Sequence, residues 1–167
     1  MVTGETPQGR PTATEGAWVQ YAVPFTVPEE GDITSLKIYA RLTGTGTAYY
    51  DEMSLYMISS PATSDDVPSP NYVPMPEGAA ELIRDGGFEK LSEDGGFTEW
   101  TSMNKTNLKP ETEIVHEGSH SLCVTTETSN NPYVNQLIET KAVPGATYQV
   151  SAWINIPGTI DGKGAGF

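Results

Sequence analysis

The sequence predicts an all-β protein, on three observations. Ser35 to Leu42 alternates strictly, with Leu36, Ile38, Ala40 and Leu42 on one face and Lys37, Tyr39 and Arg41 on the other. The chain is punctuated by 17 glycines and 13 prolines in 167 residues, above the ~12% that these two residues usually share. No stretch carries a 3.6-residue apolar period of useful length.

The elements follow in order. Trp18 to Val27 is aromatic and β-branched, and Val-Pro-Glu-Glu-Gly-Asp then turns it. The second strand is Ser35 to Leu42. A third runs from Thr47 to Ile58, with Ala48 and Tyr50 in one apolar phase and Met53 and Leu55 in the other. That one-residue phase change at Asp51-Glu52 marks a β-bulge or a strand changing sheets. Ser59 to Ala79 carries five prolines among Ser, Asp and Asn, and reads as a semi-extended linker excluded from a sheet interior. About five strands follow, over Glu81 to Phe88, Phe97 to Met103, Thr112 to Glu127 (broken at Glu117-Gly118), Tyr133 to Val143 and Thr147 to Ile156. Pro144-Gly145 turns between the last two, and Gly164 to Phe167 looks like the start of another.

Composition narrows the function. Acidic residues number 22 against nine basic ones, a net charge of −13. That balance disfavours nucleic acid and anionic membrane surfaces as partners and suits an extracellular protein or one that holds a cation. Cys123 alone rules out an internal disulfide framework, and in Ser-Leu-Cys-Val-Thr it takes an apolar strand position. No apolar run is long enough to form a transmembrane helix.

Two sets of motifs stand in an unusual order. The first is Trp18-x-x-Tyr21-x-x-x-Phe25-x-Val27-Pro28, the strand Leu36 to Leu42, then Gly46-Thr-Ala-Tyr-Tyr-Asp-Glu-Met-Ser-Leu55. The second is Asp85-Gly-Gly-Phe-Glu89, Trp100, Gly118-Ser-His-Ser-Leu122, Gln136, then Pro144-Gly-x-x-Tyr148-x-x-Ser151-x-Trp153. Together they resemble the back half and the front half of the jelly-roll carbohydrate-binding modules of families 4, 9, 16 and 22, which are appended to secreted polysaccharide-degrading enzymes. The resemblance implies a β-sandwich jelly roll whose parts run in reversed order. Residues 1–58 would be the C-terminal half of a module, 59–79 the linker, and 80–167 the N-terminal half. Three arrangements are open: a circular permutant closed within one chain, a domain-swapped dimer, or a window cut from a tandem array. A lone half would expose its inner face, so one sandwich built from both halves is expected.

The resemblance also implies a structural calcium ion where the opening and closing strands meet. Asp51 and Glu89 would supply carboxylates, with backbone oxygens near Gly87 and His120 and the Glu117 side chain completing the set. Calcium takes 6–8 oxygen ligands, which carboxylates and strand-end carbonyls provide. The alternative is that Asp51 and Glu89 are solvated turn carboxylates. His116 and His120 lack a cysteine or third histidine for zinc.

Binding a sugar needs a flat aromatic platform and planar hydrogen-bonding side chains on a rigid sheet. The strand Tyr148 to Ile156 turns Tyr148, Val150 and Ala152 to one face and Gln149, Ser151, Trp153 and Asn155 to the other. Trp153 and Gln149 are therefore candidate carbohydrate-binding residues, the alternative for Trp153 being a sheet-edge residue under a loop. Gln136 resembles the sheet-face glutamine frequent in the family, and Tyr133 would add a second platform or else cap a loop. Tyr39, flanked by Lys37 and Arg41, extends the set toward an acidic glycan, against the alternative of a solvated face. Trp18, Phe25, Phe88 and Trp100 are expected in the core or at its rim.

No nucleophile elbow, zinc-protease motif or phosphate loop is present. Asp51 and Glu52 are adjacent on a strand and diverge, which excludes them as a glycosidase pair. The expectation is a non-catalytic carbohydrate-binding module of a secreted or cell-surface protein, with a catalytic domain elsewhere in the parent chain. The competing expectation is a spacer or adhesion sandwich without sugar specificity.

Overall fold

The structure, a computed structural model, describes residues 10–59 and 72–167. It is nearly all β and β-sandwich-like, with every strand pairing antiparallel. The strands are β1 (Trp18–Thr26), β2 (Ser35–Ser59), β3 (Thr101–Met103), β4 (Leu108–Glu111), β5 (Ser121–Thr126), β6 (Tyr133–Glu139), β7 (Thr147–Asn155) and β8 (Asp161–Gly166). A 3-10 turn, Lys105–Asn107, precedes β4.

One strand organises the fold. The two separate strands expected at 35–42 and 47–58 are a single strand of 25 residues, far beyond the usual 3–10. Its first part pairs with β6 over Ser35–Arg41 and, on its other edge, with β8 over Arg41–Thr45. Its second part pairs with β5 over Gly46–Tyr50 and with β7 from Tyr49 onward. Two ladders result, β3–β6–β2–β8 and β1–β7–β2–β5–β4, joined through β2. The transfer falls at Gly44 and Gly46, whose φ angles of 124° and 136° a residue with a Cβ rarely adopts. The Gly-Thr-Gly run between the two expected strands is thus a bend within a strand.

The phase change at Asp51-Glu52 is a register shift between Asp51 and Ser54 against β7, with Glu52 at φ 47°. Past β5, the edge of β2 is taken by residues 82–86. Leu82 N–H donates to the Leu55 carbonyl and Met53 N–H to the Gly86 carbonyl, each at 2.9 Å. A Cβ on Gly86 would overlap the Met53 backbone. The two family-like motifs therefore lie side by side. The strand expected over Glu81 to Phe88 is nevertheless not regular, because Asp85 and Phe88 turn the backbone at φ 54° and 58°. Residues 112–120 are a loop rather than the first part of a strand, and β4 was not expected.

The inner faces of both ladders share one core. Ile38, Ala40 and Leu42 join Ala48, Tyr50 and Leu55 from β2, with Leu122, Val124, Val134, Tyr148, Val150 and Ile154 from the segment after the linker. Phe88 stacks on Trp100 with ring centroids 5.1 Å apart and meets Phe97 edge-on at 5.3 Å. Phe25 packs at the rim, as expected, but Trp18 pairs with Asn155 on the outward face. Strands from both sides of the linker thus pair within one chain. Residues 60–71 of that linker lie outside the described residues, and its last residues cross the outer face of β7.

Candidate functional site

The bulge places Asp51 under the loop 112–120. Its carboxylate is fully buried and accepts three backbone N–H groups, from Glu52 on Oδ1 at 2.8 Å and from His116 and Glu117 on Oδ2 at 2.9 and 3.2 Å. Burial still pushes its pKa above the ordinary carboxylate value, so the donors offset only part of the desolvation. Glu89 reaches the other end of the same loop. Its Oε1 accepts the N–H groups of Ser119 and His120 at 2.8 and 3.1 Å, and its Oε2 lies 3.2 Å from His120 Nδ1. Burial raises the Glu89 pKa, but the Ser119 and His120 hydrogen bonds outweigh it and hold the group below its usual value.

Gly87 stands between the two carboxylates. A Cβ there would lie 3.9 Å from Asp51 Oδ1 and 3.8 Å from Glu89 Cγ. Of the expected calcium ligands, Asp51, Gly87, Glu89, Glu117 and His120 are thus gathered around one loop. The described residues include no group of three or more His, Cys, Asp or Glu side chains placed to hold a metal. Of the two sequence alternatives for the carboxylates, solvated turn residues does not describe Asp51.

Beside the bulge, Glu52 Oε2 is hydrogen-bonded to His116 Nδ1. The His116 ring stacks on Trp153 at 4.0 Å and 16° and meets Trp18 edge-on at 5.6 Å. Burial raises the Glu52 pKa, and the Glu117 carboxyl raises it further. One face of Trp153 is therefore taken by an imidazole, the loop-covered alternative of the sequence reading.

The two candidate glutamines hold backbone instead of facing solvent. Gln149 is fully buried beneath the segment after the linker, with its Oε1 accepting Val73 N–H at 3.0 Å. Its Nε2 donates to the Val73 carbonyl at 2.8 Å and to the Tyr56 hydroxyl at 2.9 Å. Gln136 lies opposite Ile38, on the inward face. Its Oε1 accepts Arg84 N–H at 2.8 Å, while Nε2 donates to the carbonyls of Arg84 and Glu99 at 2.8 and 3.1 Å. Both amides spend their hydrogen-bonding groups on a crossing segment, which corrects their assignment to sugar hydroxyls.

Tyr39, Tyr133, Lys37 and Arg41 do come together. Opposite residues of an antiparallel pair share a face, and the register sets Lys37 against Leu137, Tyr39 against Asn135 and Arg41 against Tyr133. The rings of Tyr39 and Tyr133 meet edge-to-face at 5.2 Å and 74°, and Lys37 Nζ sits 5.5 Å from the Tyr39 ring centre. Leu137 and Met103, on the same face, are about half exposed (50% and 49%). Trp153 stands on the other ladder, so the expected sugar-binding set divides into an open tyrosine face and a covered tryptophan face. Sequence reasoning missed one member of the open face, Arg10, whose Nη1 donates to Thr43 Oγ1 at 2.8 Å. Only its contact with β8 places it there, and no local pattern could have shown that.

No protein-family model, curated protein or solved structure matches this chain.

Proposed function

We propose that this chain is a non-catalytic carbohydrate-binding module of an extracellular or cell-surface protein, and that its polysaccharide lies on the outer face of the β3–β6–β2–β8 ladder. The observation that carries the reading is the Tyr39–Tyr133 pair, half-exposed on a rigid sheet and bordered by exposed Leu137 and Met103. Aromatic rings of this kind present the apolar platform that sugar C–H faces need. The motifs quoted above add a family-level expectation of the same function, including attachment to a catalytic domain in the parent chain.

A structural calcium ion belongs to this reading. The donors are hard oxygens, Asp51 is buried with its charge only partly compensated, and Gly87 leaves space between Asp51 and Glu89. Asp51 and Glu89 would hold the ion, which would supply the missing positive charge and tie the 82–89 segment to β2. A site occupied at 100 times its dissociation constant adds about 2.7 kcal/mol. A melting temperature unchanged by chelator in a metal-loaded sample argues against the ion.

The test of function is a glycan array on the wild type and on Tyr39→Ala and Tyr133→Ala. Each variant is expected to lose more than about 2 kcal/mol of binding, roughly 30-fold, while keeping its fold. The covered state of Trp153, Gln149 and Gln136 favours the second reading, a spacer or adhesion module. Binding of no glycan by the wild type decides for that reading.

A further inference from the structure

Along the outward side of β2, residues 37, 39, 41 and 43 form one line. Lys37 and Arg41 stand on it, and Arg10 is brought to it from outside the strand. Gly166 lies opposite Arg41 in the register, and a Cβ there would come within 2.8 Å of Arg10 Cγ. The glycine thus leaves a trough over β8 through which Arg10 reaches Thr43. Three of the nine basic residues in a chain of net charge −13 occupy a single strand line. At about 3.3 Å per residue, Lys37 to Thr43 spans about 20 Å, longer than one sugar ring.

Among the described residues these charges are not paired with a carboxylate. Arg84, Lys90, Lys105 and Lys109 each lie within 4.0 Å of an Asp or Glu oxygen. Arg10, Lys37 and Arg41, like Lys141 and Lys163, have no ion pair among the described residues, and Arg41 Nε is buried with no hydrogen-bond partner among them. An unpaired buried guanidinium donor is costly, and a planar anion is the group its fork fits best. Glu139 closes the face at the far end, opposite Ser35, and so marks where an anionic ligand stops.

We propose that this face takes an anionic polysaccharide laid along β2, with Arg41, Arg10 and Lys37 meeting its carboxylate or sulfate groups while Tyr39 and Tyr133 support its rings. The inference rests on the carbohydrate-binding reading and narrows it to acidic glycans. Arg41 is the central contact, because it lies opposite Tyr133 on one edge of β2 and opposite Gly166, beneath Arg10, on the other.

The experiment is calorimetric titration of the whole chain with hexagalacturonate, a sulfated chondroitin hexasaccharide and neutral cellohexaose. Wild type is expected to bind one of the two acidic probes at least tenfold more tightly than cellohexaose, about 1.4 kcal/mol. Which acidic probe binds names the anion as carboxylate or sulfate. Arg41→Gln should lose about tenfold toward that probe, and Arg41→Lys less, with a smaller loss toward cellohexaose than toward the acidic probe. Raising ionic strength from 0.01 to 0.15 M shortens the screening length from about 30 to about 8 Å and should weaken only the acidic probe. If Arg41→Gln does not fold, the double variant Lys37→Gln/Arg10→Gln, at one exposed and one partly buried position, carries the same test. Neutral and acidic probes bound alike, or cation variants without effect, overturn this proposal and leave the carbohydrate reading standing. Binding of none of the three probes overturns both.

Discussion

Gln149 grips Val73 by both polar atoms of one residue, accepting its N–H at 3.0 Å and donating to its carbonyl at 2.8 Å. The side-chain amide acts as a peptide group would in a neighbouring strand, and so docks the end of the linker onto β7. Gln136 does the same for Arg84, with both hydrogen bonds at 2.8 Å. Replacing Gln149 by Leu strands the Val73 N–H, leaves the Val73 carbonyl with the Tyr56 hydroxyl as donor, and removes the bond that hydroxyl accepts. Each buried polar group left unpaired costs about 1–3 kcal/mol, so Gln149→Leu should lose about 3 kcal/mol. In a chain of this size that is on the order of 6–12 °C in melting temperature. Glycan affinity should be unchanged, and a loss of affinity at full stability would return Gln149 to the binding site.

Trp153 lies face to face with His116 at 4.0 Å, on a loop whose backbone also holds Asp51. Trp153→Ala removes that stack and loosens the 112–120 loop over the bulge. An aromatic contact of this kind contributes about 0.5–1.5 kcal/mol beyond its area, and the residue is only partly buried. The expected result is a destabilisation of about 2 kcal/mol in urea unfolding, with glycan affinity within twofold of wild type. A 30-fold affinity loss in a variant as stable as wild type would move the sugar platform to this tryptophan.

Asp51 and Glu89 should respond to pH with opposite sign. Burial raises the Asp51 pKa in the folded state, so its contribution is fully present below the unfolded value of about 3.9 and is lost as pH rises through the folded value. Glu89 is lowered on balance, so its contribution is present above about 4.3 and is lost as pH falls through the folded value. In chelator, Asp51→Asn should remove a decline of stability above about pH 4, and Glu89→Gln should flatten the acid limb below it. Urea unfolding from about pH 2.5 to 7 reads both limbs. A pH profile of Asp51→Asn parallel to the wild type throughout contradicts a buried carboxylate short of positive charge.

What the sequence disclosed follows from what is local. The alternation from Leu36 to Leu42 and from Tyr148 to Ile154 set the inward faces correctly, because period-2 burial is written residue by residue. The bulge at Asp51-Glu52 was legible for the same reason, as a change of phase. Covering was not legible. Polar Gln149 and Ser151 look like an open face in sequence, yet both are buried, and over Gln149 lies a segment some 75 positions away in the chain. Glu81 to Phe88 has the composition of a strand, but the positive φ angles of Asp85 and Phe88 break its regularity. The side-chain oxygens of Asp85 cap the Glu89 and Lys90 N–H groups at 2.9 and 3.0 Å, a local alternative to sheet pairing. The basic line on β2 was half visible. Lys37 and Arg41 show in the alternation, whereas Arg10 joins them only through tertiary contact.

Gly44 is where the single long strand leaves one ladder for the other, and it should tolerate no side chain. Its φ of 124° is a region that L-residues avoid, and a Cβ there would overlap the Asp161 carbonyl across the β2–β8 pair. The overlap is with backbone, so relief requires β8 to move away. Gly44→Ala should therefore cost more than about 3 kcal/mol, from strain and overpacking together. The loss should also be uneven. Hydrogen exchange should quicken first in β8 and over residues 41–45, while β1 and β7, paired along nine residues, stay protected until global unfolding. Gly158→Ala is the control, since nothing lies within 4 Å of its added Cβ, and it should change stability by less than about 0.5 kcal/mol. If Gly44→Ala is as mild as this control, β2 does not run unbroken through the two ladders, and Thr43 to Gly46 instead separates the two strands expected from the sequence.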